Sequence, residues 1–439
     1  MRRIKSRAGF ALIIAAALFA GLGIYVFRLF SSGEDWAMLR ANQSVFSDGV
    51  LDTGSVTDRN GVVLASAGNG VFSYADEESV RRACLHAVGD YGGNFGTGAL
   101  SLFADKLAGY SLINGVSSLS GNGGEVKLSI DSKLNVTALN ALSGRRGAVL
   151  VSNYKTGEIL CMVSTPTYDP VSPPDVNQPA YEGVYLNRCL GATFAPGSVF
   201  KLVTLAAALE NVPDISARSF TCYGSVTVGG DVVNCTGYHG EQTIEQALAN
   251  SCNCAFSELA QELGADTLEE YTRKYGFLSS LDISGADTAA GNFDKAEGGT
   301  ANLSWSAIGQ YNDLISPVSM LRYVSAIASG GTAHELTLLE GKNTGSTALI
   351  DPETAARIGE MMSYNVTYAY GQWMFPGLNV HAKSGTAEVG DGTSHAWFAG
   401  YIEDEEHPLA FTVMIENGGG GLSNAAPVAN AVLQAATGG

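Results

Sequence analysis

Residues 147–165 read GAVLVSNYKTGEILCMVST. The apolar runs VLVSNY and ILCMVS flank the polar, glycine-bearing Lys155-Thr156-Gly157-Glu158, so the stretch predicts two antiparallel strands joined by a hairpin turn. Just upstream, SIDSKLNVTALNAL (129–142) places Leu134, Ala138 and Leu142 at helical spacing. Downstream, a helix-rich middle runs from Ser198 to about Gly330. From Leu378 the strands LNVHAKSGT, HAWFAGYIE and LAFTVMIEN follow one another, separated by a Gly390-Asp391-Gly392 turn and then a charged one. A last helix near Ala425 to Ala435 closes the chain. Two early strands, a helical centre, three late strands and a terminal helix imply an α+β fold, an antiparallel sheet sandwiched by helices. That domain is expected over 146–439. Residues 31–145 form a smaller module with glycine, serine and asparagine clusters (Gly92 to Gly98, Ser117 to Gly124) that read as loops, and with no assignable group of acid, base and nucleophile.

The chain has 439 residues, enough for two or three domains, and 46% hydrophobic residues against 15% charged ones, too apolar a mix for a disordered chain. Its net charge is −18, although residues 1–30 carry five basic residues and no acidic one. Such a polyanion repels phosphate backbones, so nucleic acid is excluded as a partner. Within residues 1–30, Gly9 to Phe27 run 19 residues without a charge, which at about 1.5 Å per residue spans a hydrocarbon core of about 30 Å. Arg2, Arg3, Lys5 and Arg7 precede that run, and the positive-inside rule keeps their end cytoplasmic and the remainder extracytoplasmic. The apolar run is longer than a signal-peptide core and no clear small-x-small cleavage site follows, which favours a retained single-pass anchor. Seven cysteines cannot all pair internally. Cys222 and Cys235 flank a segment whose Gly229-Gly230 suggests a hairpin, so a bridge between them and two buried free thiols are the open alternatives. No cysteine or histidine spacing resembles a zinc site, and no metal or cofactor is expected.

Three weak motifs carry the chemistry. Pro196-Gly197-Ser198-Val199-Phe200-Lys201 opens an almost wholly apolar helix that ends before Pro213. Residues i and i+3 share a helix face, so Lys201 lies one turn above Ser198. Desolvation and the positive end of the helix dipole disfavour its charged form, so a neutral Lys201 is suited to take the serine proton. Ser152-Asn153-Tyr154-Lys155 has the same spacing but falls on a strand and its turn, where an odd interval throws side chains to opposite faces. Ser251-Cys252-Asn253 sits between the helices TIEQALAN and AFSELAQEL; Ser120-Gly121-Asn122 and Ser363-Tyr364-Asn365 match it in pattern but not in position. Lys383-Ser384-Gly385-Thr386 lies on a strand beside His395-Ala396-Trp397-Phe398, where Gly385 admits close approach of a ligand backbone. Trp397 and Phe398 read as core.

In this order, Ser-x-x-Lys, Ser-x-Asn and Lys-Ser-Gly, the trio resembles that of penicillin-binding proteins and serine β-lactamases. Lys155-Thr156-Gly157-Glu158 with Ser164-Thr165-Pro166, Gly309-Gln310 before Ser316-Pro317, and His395-Ala396-Trp397-Phe398 extend the likeness over most of the chain. Thr57-Asp58-Arg59-Asn60-Gly61 with Leu64-Ala65 resembles the start of the non-catalytic pedestal of class B penicillin-binding proteins, with Thr53 where that motif often has arginine. The resemblance implies a peptidoglycan D,D-transpeptidase that works through a serine acyl-enzyme and is blocked by β-lactams. It makes Ser198 the nucleophile, Lys201 its base, and Ser251 with Lys383 a proton relay to the leaving amine. Asn253 would hold the substrate amide. The Ser384 and Thr386 hydroxyls, with Gly385 between them, would bind the terminal carboxylate of a D-Ala-D-Ala stem peptide, and the Ser198 and Thr386 N–H groups would form the oxyanion hole. It also implies a polytopic glycosyltransferase of the shape, elongation, division and sporulation type as partner.

Two other readings remain. A D,D-carboxypeptidase or β-lactamase would use water in place of the acceptor amine. A non-enzymatic penicillin sensor would need an output domain, for which the eight residues before the anchor leave no room.

Overall fold

The computed structural model describes residues 2–38, 46–47, 50–51, 54–68, 71–108, 123–390 and 392–438. Thr53, residues 117–122 with Ser120-Gly121-Asn122, and Asp391 lie outside the described residues. The chain divides into two compact units: residues 1–56, 65–74 and 103–126, and residues 57–64, 75–102 and 127–439. The larger unit thus takes in segments that precede the 146–439 domain expected from sequence.

In the smaller unit, α1 (Arg2–Met38) contains a segment, Arg7–Arg28, long and apolar enough to cross a membrane and wholly unburied by protein. A short antiparallel pairing runs from Ala65↔Tyr74 to Gly68↔Val71.

The larger unit is built on a five-stranded antiparallel sheet. The expected hairpin forms from β1 (Gly147–Asn153) and β2 (Ile159–Thr165), and its turn is closed by the Asn153 side chain, which accepts the N–H groups of Lys155 and Thr156. The late strands are β3 (Val380–Glu388), β4 (Ser394–Ile402) and β5 (Leu409–Ile415), and the spatial order is β3-β4-β5-β1-β2. One cross-strand row reads Ser384, Phe398, Val413, Val149, Val163. Its apolar members face α2 (Ser132–Leu142) and α7 (Ala426–Ala436), which meet them through Leu134, Ala138, Leu142, Val432 and Leu433 in a single buried cluster. The opposite face carries α6 (Pro317–Ala328), started by Ser316, whose hydroxyl accepts the Ser319 N–H, and by Pro317 at the first helical position. Beyond it stand α3 (Lys201–Asn211), α4 (Ile244–Ala249) and α5 (Asn253–Lys274). Helices on both faces of an antiparallel sheet are the arrangement expected from the order of elements.

Segments from early in the chain are fastened to this unit. Arg81 forms a two-pronged ion pair with Asp169 at 2.8 and 2.6 Å, and Leu85 and Phe95 pack on Tyr168 and Val184. Asp58 of the Thr-Asp-Arg-Asn-Gly stretch is fully buried. Its carboxylate accepts the N–H groups of Asn60 and Val62 and both the N–H and hydroxyl of Ser132, at 2.7 to 3.1 Å, and so anchors the start of α2. Asp58→Ala would leave those donors without an acceptor in a dry site. We expect it to lower stability by about 3 kcal/mol, read as a lower urea midpoint for loss of penicillin labelling, with the labelled residue unchanged.

Candidate active site

The apolar helix expected from Val199 onward divides in two. Residues Gly197–Phe200 form a 3-10 turn, and the α-helix begins at Lys201. Gly197 takes φ +55°, and a Cβ there would stand 2.6 Å from the Thr386 carbonyl oxygen, so the nucleophile turn lies directly against β3. Trp397, fully buried, ties β4 to the same segment by donating from Nε1 to the Ala195 carbonyl at 2.9 Å. Three residues per turn line the side chains at i and i+3 up directly, and so Ser198 and Lys201 share one face.

Ser251 occupies the tight junction between α4 and α5, and this junction forces it to φ +52°, a left-handed conformation that a non-glycine residue rarely adopts. Its hydroxyl lies between two lysines: Lys201 Nζ donates to it at 3.2 Å and Lys383 Nζ at 3.1 Å. Lys201 also donates to the Ser251 carbonyl at 2.6 Å and to Asn253 Oδ1 at 2.8 Å, and Lys383 to the Ser384 carbonyl at 2.8 Å. Ser198 Oγ, half-buried, makes no hydrogen bond among the described residues, so its link to Lys201 is one of shared face rather than contact.

Both ammonium groups are fully buried. Burial pushes Lys201 down to about 8, against a smaller upward pull from Cys252, Cys235 and Cys254. Burial also holds Lys383 well below the usual lysine range, helped by the charge of Lys201. The base must be neutral to take a proton, so the acylation rate should climb about ten-fold per pH unit below pH 8 and level off above it. Stopped-flow acylation by a chromogenic cephalosporin measures this, and the inflection belongs to the coupled lysine pair. A rate flat from pH 6 to 9 would exclude a lysine base.

The structure brings six of the expected side chains, Ser198, Lys201, Ser251, Asn253, Lys383 and Thr386, to one locality, with Gly385 packed against the Pro196 carbonyl. Thr386 is exposed, and its hydroxyl accepts the Gly421 N–H at 3.2 Å. Ser384 is engaged differently from expectation: its N–H and its hydroxyl both donate to Tyr370 Oη, at 3.0 and 3.1 Å. Sequence reasoning missed Tyr370, which reaches β3 from a π-helical turn, Asn365–Tyr370, that no local pattern marks. The similar-spaced Ser152 is buried and meets Ser325 at 3.2 Å, and among the described residues no lysine amine hydrogen-bonds to it.

Cys222 and Cys235 are not bridged. The hairpin at Gly229-Gly230 forms between Ser225–Val228 and Asp231–Asn234, but Cys222 ends a separate strand, Ser219–Cys222, that pairs with Gly240–Thr243. Its sulfur therefore faces Cys254 at 3.5 Å, and that of Cys235 faces Cys252 at 3.8 Å.

Residues 147–434 match the penicillin binding protein transpeptidase domain. The chain belongs to that family of serine acyltransferases. It is 27% identical over 378 residues to the peptidoglycan D,D-transpeptidase PbpA of Mycobacterium tuberculosis, covering 75% of this chain and 76% of that one. It is 29% identical over 349 residues to the stage V sporulation protein D of Bacillus subtilis, covering 71% and 53%. The structure of penicillin-binding protein A from M. tuberculosis as a ceftriaxone acyl-enzyme complex superposes with a TM-score of 0.77 at 24% identity, covering 88% of this chain and 98% of that one, which shows a common fold.

Proposed function

We infer that the chain is a peptidoglycan D,D-transpeptidase with Ser198 as nucleophile. The observation that carries the reading is the Ser251 hydroxyl held within 3.2 Å of two buried lysines beside the Ser198 turn. Neutral Lys201 accepts the Ser198 proton as Oγ attacks the carbonyl carbon of the penultimate D-alanine. The tetrahedral oxyanion is met by the N–H groups of Ser198 and Thr386. As the peptide C–N bond breaks, the proton returns through Ser251, with Lys383 behind it, to the departing D-alanine amine. An acceptor amine then attacks the ester, gives up a proton by the reverse route and frees Ser198. In a β-lactam the cleaved amide is part of a ring, so the leaving group stays tethered and blocks the acceptor.

Asn253 holds the substrate amide, and Thr386 with Ser384 reads the terminal carboxylate, the Ser384 hydroxyl turning its one proton from Tyr370 Oη to the ligand. Strand β3 is an edge of the sheet, so an extended stem peptide can lie along it. The apolar segment of α1 anchors the chain in the cytoplasmic membrane with the catalytic unit outside, and a polytopic glycosyltransferase supplies the glycan strands.

The full-length chain in detergent, given pentapeptide-bearing glycan strands, should yield cross-linked dimers in step with released D-alanine. Trimmed monomers alone would make it a carboxypeptidase, and no release at all would leave a drug-binding sensor.

A further inference from the structure

Strand β3 is the outer strand of the sheet, and an outer strand presents the same outward N–H and C=O pair at every second residue. A peptide lying along such an edge can pair in several registers, each two residues from the next. On β3 side chains interrupt that repeat. The Ser384 N–H donates to Tyr370 Oη at 3.0 Å, and the Glu388 N–H donates to Gln310 Oε1 at 3.1 Å. The Ser384 carbonyl accepts from Lys383 Nζ at 2.8 Å, and the Ala382 carbonyl accepts from Asn365 Nδ2 at 2.9 Å. Thr386 falls midway between Ser384 and Glu388 in the register with β4, opposite Ala396, so its N–H points outward as theirs do. Of these three N–H groups, it is the one that no acceptor takes among the described residues.

The caps arrive from two separate places. Asn365 and Tyr370 are the first and last residues of the π-helical turn, and both are buried. The Ser363-Tyr364-Asn365 pattern thus supplies an edge cap through Asn365. Gln310 follows Gly309, whose carbonyl accepts the Gly197 N–H at 2.8 Å, so the loop that holds the nucleophile turn also closes the far end of β3. Gln310 Nε2 donates to the Gly309 carbonyl at 3.3 Å, and its Oε1 is left for Glu388.

We propose that Tyr370 and Gln310 are positioning residues that set the register of the stem peptide on β3, by occupying the N–H groups two residues to either side of Thr386. The proposal rests on the transpeptidase reading above, in which the Thr386 N–H meets the oxygen of the scissile carbonyl. A carbonyl paired with Ser384 or Glu388 instead would stand about 7 Å along the strand, out of reach of Ser198 Oγ. Such a slipped complex is bound but unreactive. With both caps in place, a substrate carbonyl finds an outward N–H at Thr386 and at neither neighbour.

Unreactive binding lowers kcat and KM by the same factor and leaves kcat/KM unchanged, because slipped and productive complexes compete for the same enzyme. The test uses the full-length chain in detergent and a stem peptide whose last amide is replaced by a thioester, with thiol release as the readout. Tyr370→Phe removes Oη and keeps the ring. A slipped register with similar bonds takes a share equal to the productive one, so Tyr370→Phe and Gln310→Ala should each lower kcat and KM together by about two-fold, and the double variant by about three-fold. Loosened packing alone would lower kcat/KM instead.

Residue-resolved hydrogen exchange on the unliganded chain reads the caps without any substrate. In the wild type the Thr386 amide should exchange about ten-fold faster than those of Ser384 and Glu388. Gln310→Ala should release the Glu388 amide, and Tyr370→Phe that of Ser384. A wild type whose Thr386 amide exchanges as slowly as the other two would overturn the capped edge. Values of kcat and KM that do not fall together in Gln310→Ala would overturn the register role. The expected exchange pattern in a chain that neither cleaves the thioester nor takes penicillin at Ser198 would refute the transpeptidase reading, and the register role with it, and leave the capped edge standing.

Discussion

Ser198→Ala will abolish covalent labelling by a fluorescent penicillin, whereas Ser152→Ala will leave it intact. Both serines stand three residues before a lysine, so the comparison separates geometry from motif. Ser198 begins a turn against β3 with buried Lys201 on its face, while Ser152 is enclosed in the sheet opposite Ser325 and Lys155 lies in the exposed hairpin turn. Loss of the attacking oxygen leaves no acyl-enzyme to detect, so the effect is complete rather than graded. Mass mapping of the adduct on the wild-type chain checks it independently. An adduct on any other serine rejects the assignment.

Lys201→Arg should cost nearly as much. A guanidinium stays protonated at every accessible pH and cannot accept the serine proton. Its planar fork also cannot reproduce the three bonds that Lys201 Nζ gives to the Ser251 carbonyl, the Ser251 hydroxyl and Asn253 Oδ1. We expect acylation to fall by about three orders of magnitude, in the range of a lost general base acting with its positioning partners, and the pH dependence near 8 to vanish with it. Unaltered thermal unfolding of the variant separates this from misfolding, and wild-type acylation would place the base elsewhere.

The sheet was legible from the hairpin at 147–165 and the three late strands because each carries its own turn signals, and their boundaries differ from expectation by a few residues at most. The catalytic serines and lysines were legible through their order along the chain. What escaped was set by contacts distant in sequence. The 3-10 turn at Ser198 exists because Gly197 yields to the Thr386 carbonyl, and no local pattern reveals that approach. Tyr370 meets Ser384 only once a π-helical turn folds beside β3. Cys222 faces Cys254 because its strand pairs outside the hairpin that its spacing suggested. Asp58 looked like part of a separate module, yet two of its four donors come from Ser132, and they fix the start of a helix of the larger unit.

Strand β1 pairs with β5, so Val149 meets Val413, and it is β5 that connects β4 and the Lys383-bearing β3 to the rest of the sheet. The middle of the sheet is thus closed by the last of its five strands in chain order. Pairings of such long range are the slow ones in folding, since most of the chain must be looped out before they form. A chain still emerging from the ribosome or from a translocation pore has Ser198 but no edge strand to set beside it. Acylation competence should therefore appear only once β5 has emerged to join β3 and β4 to β1, and until then a nascent chain cannot be trapped by drug.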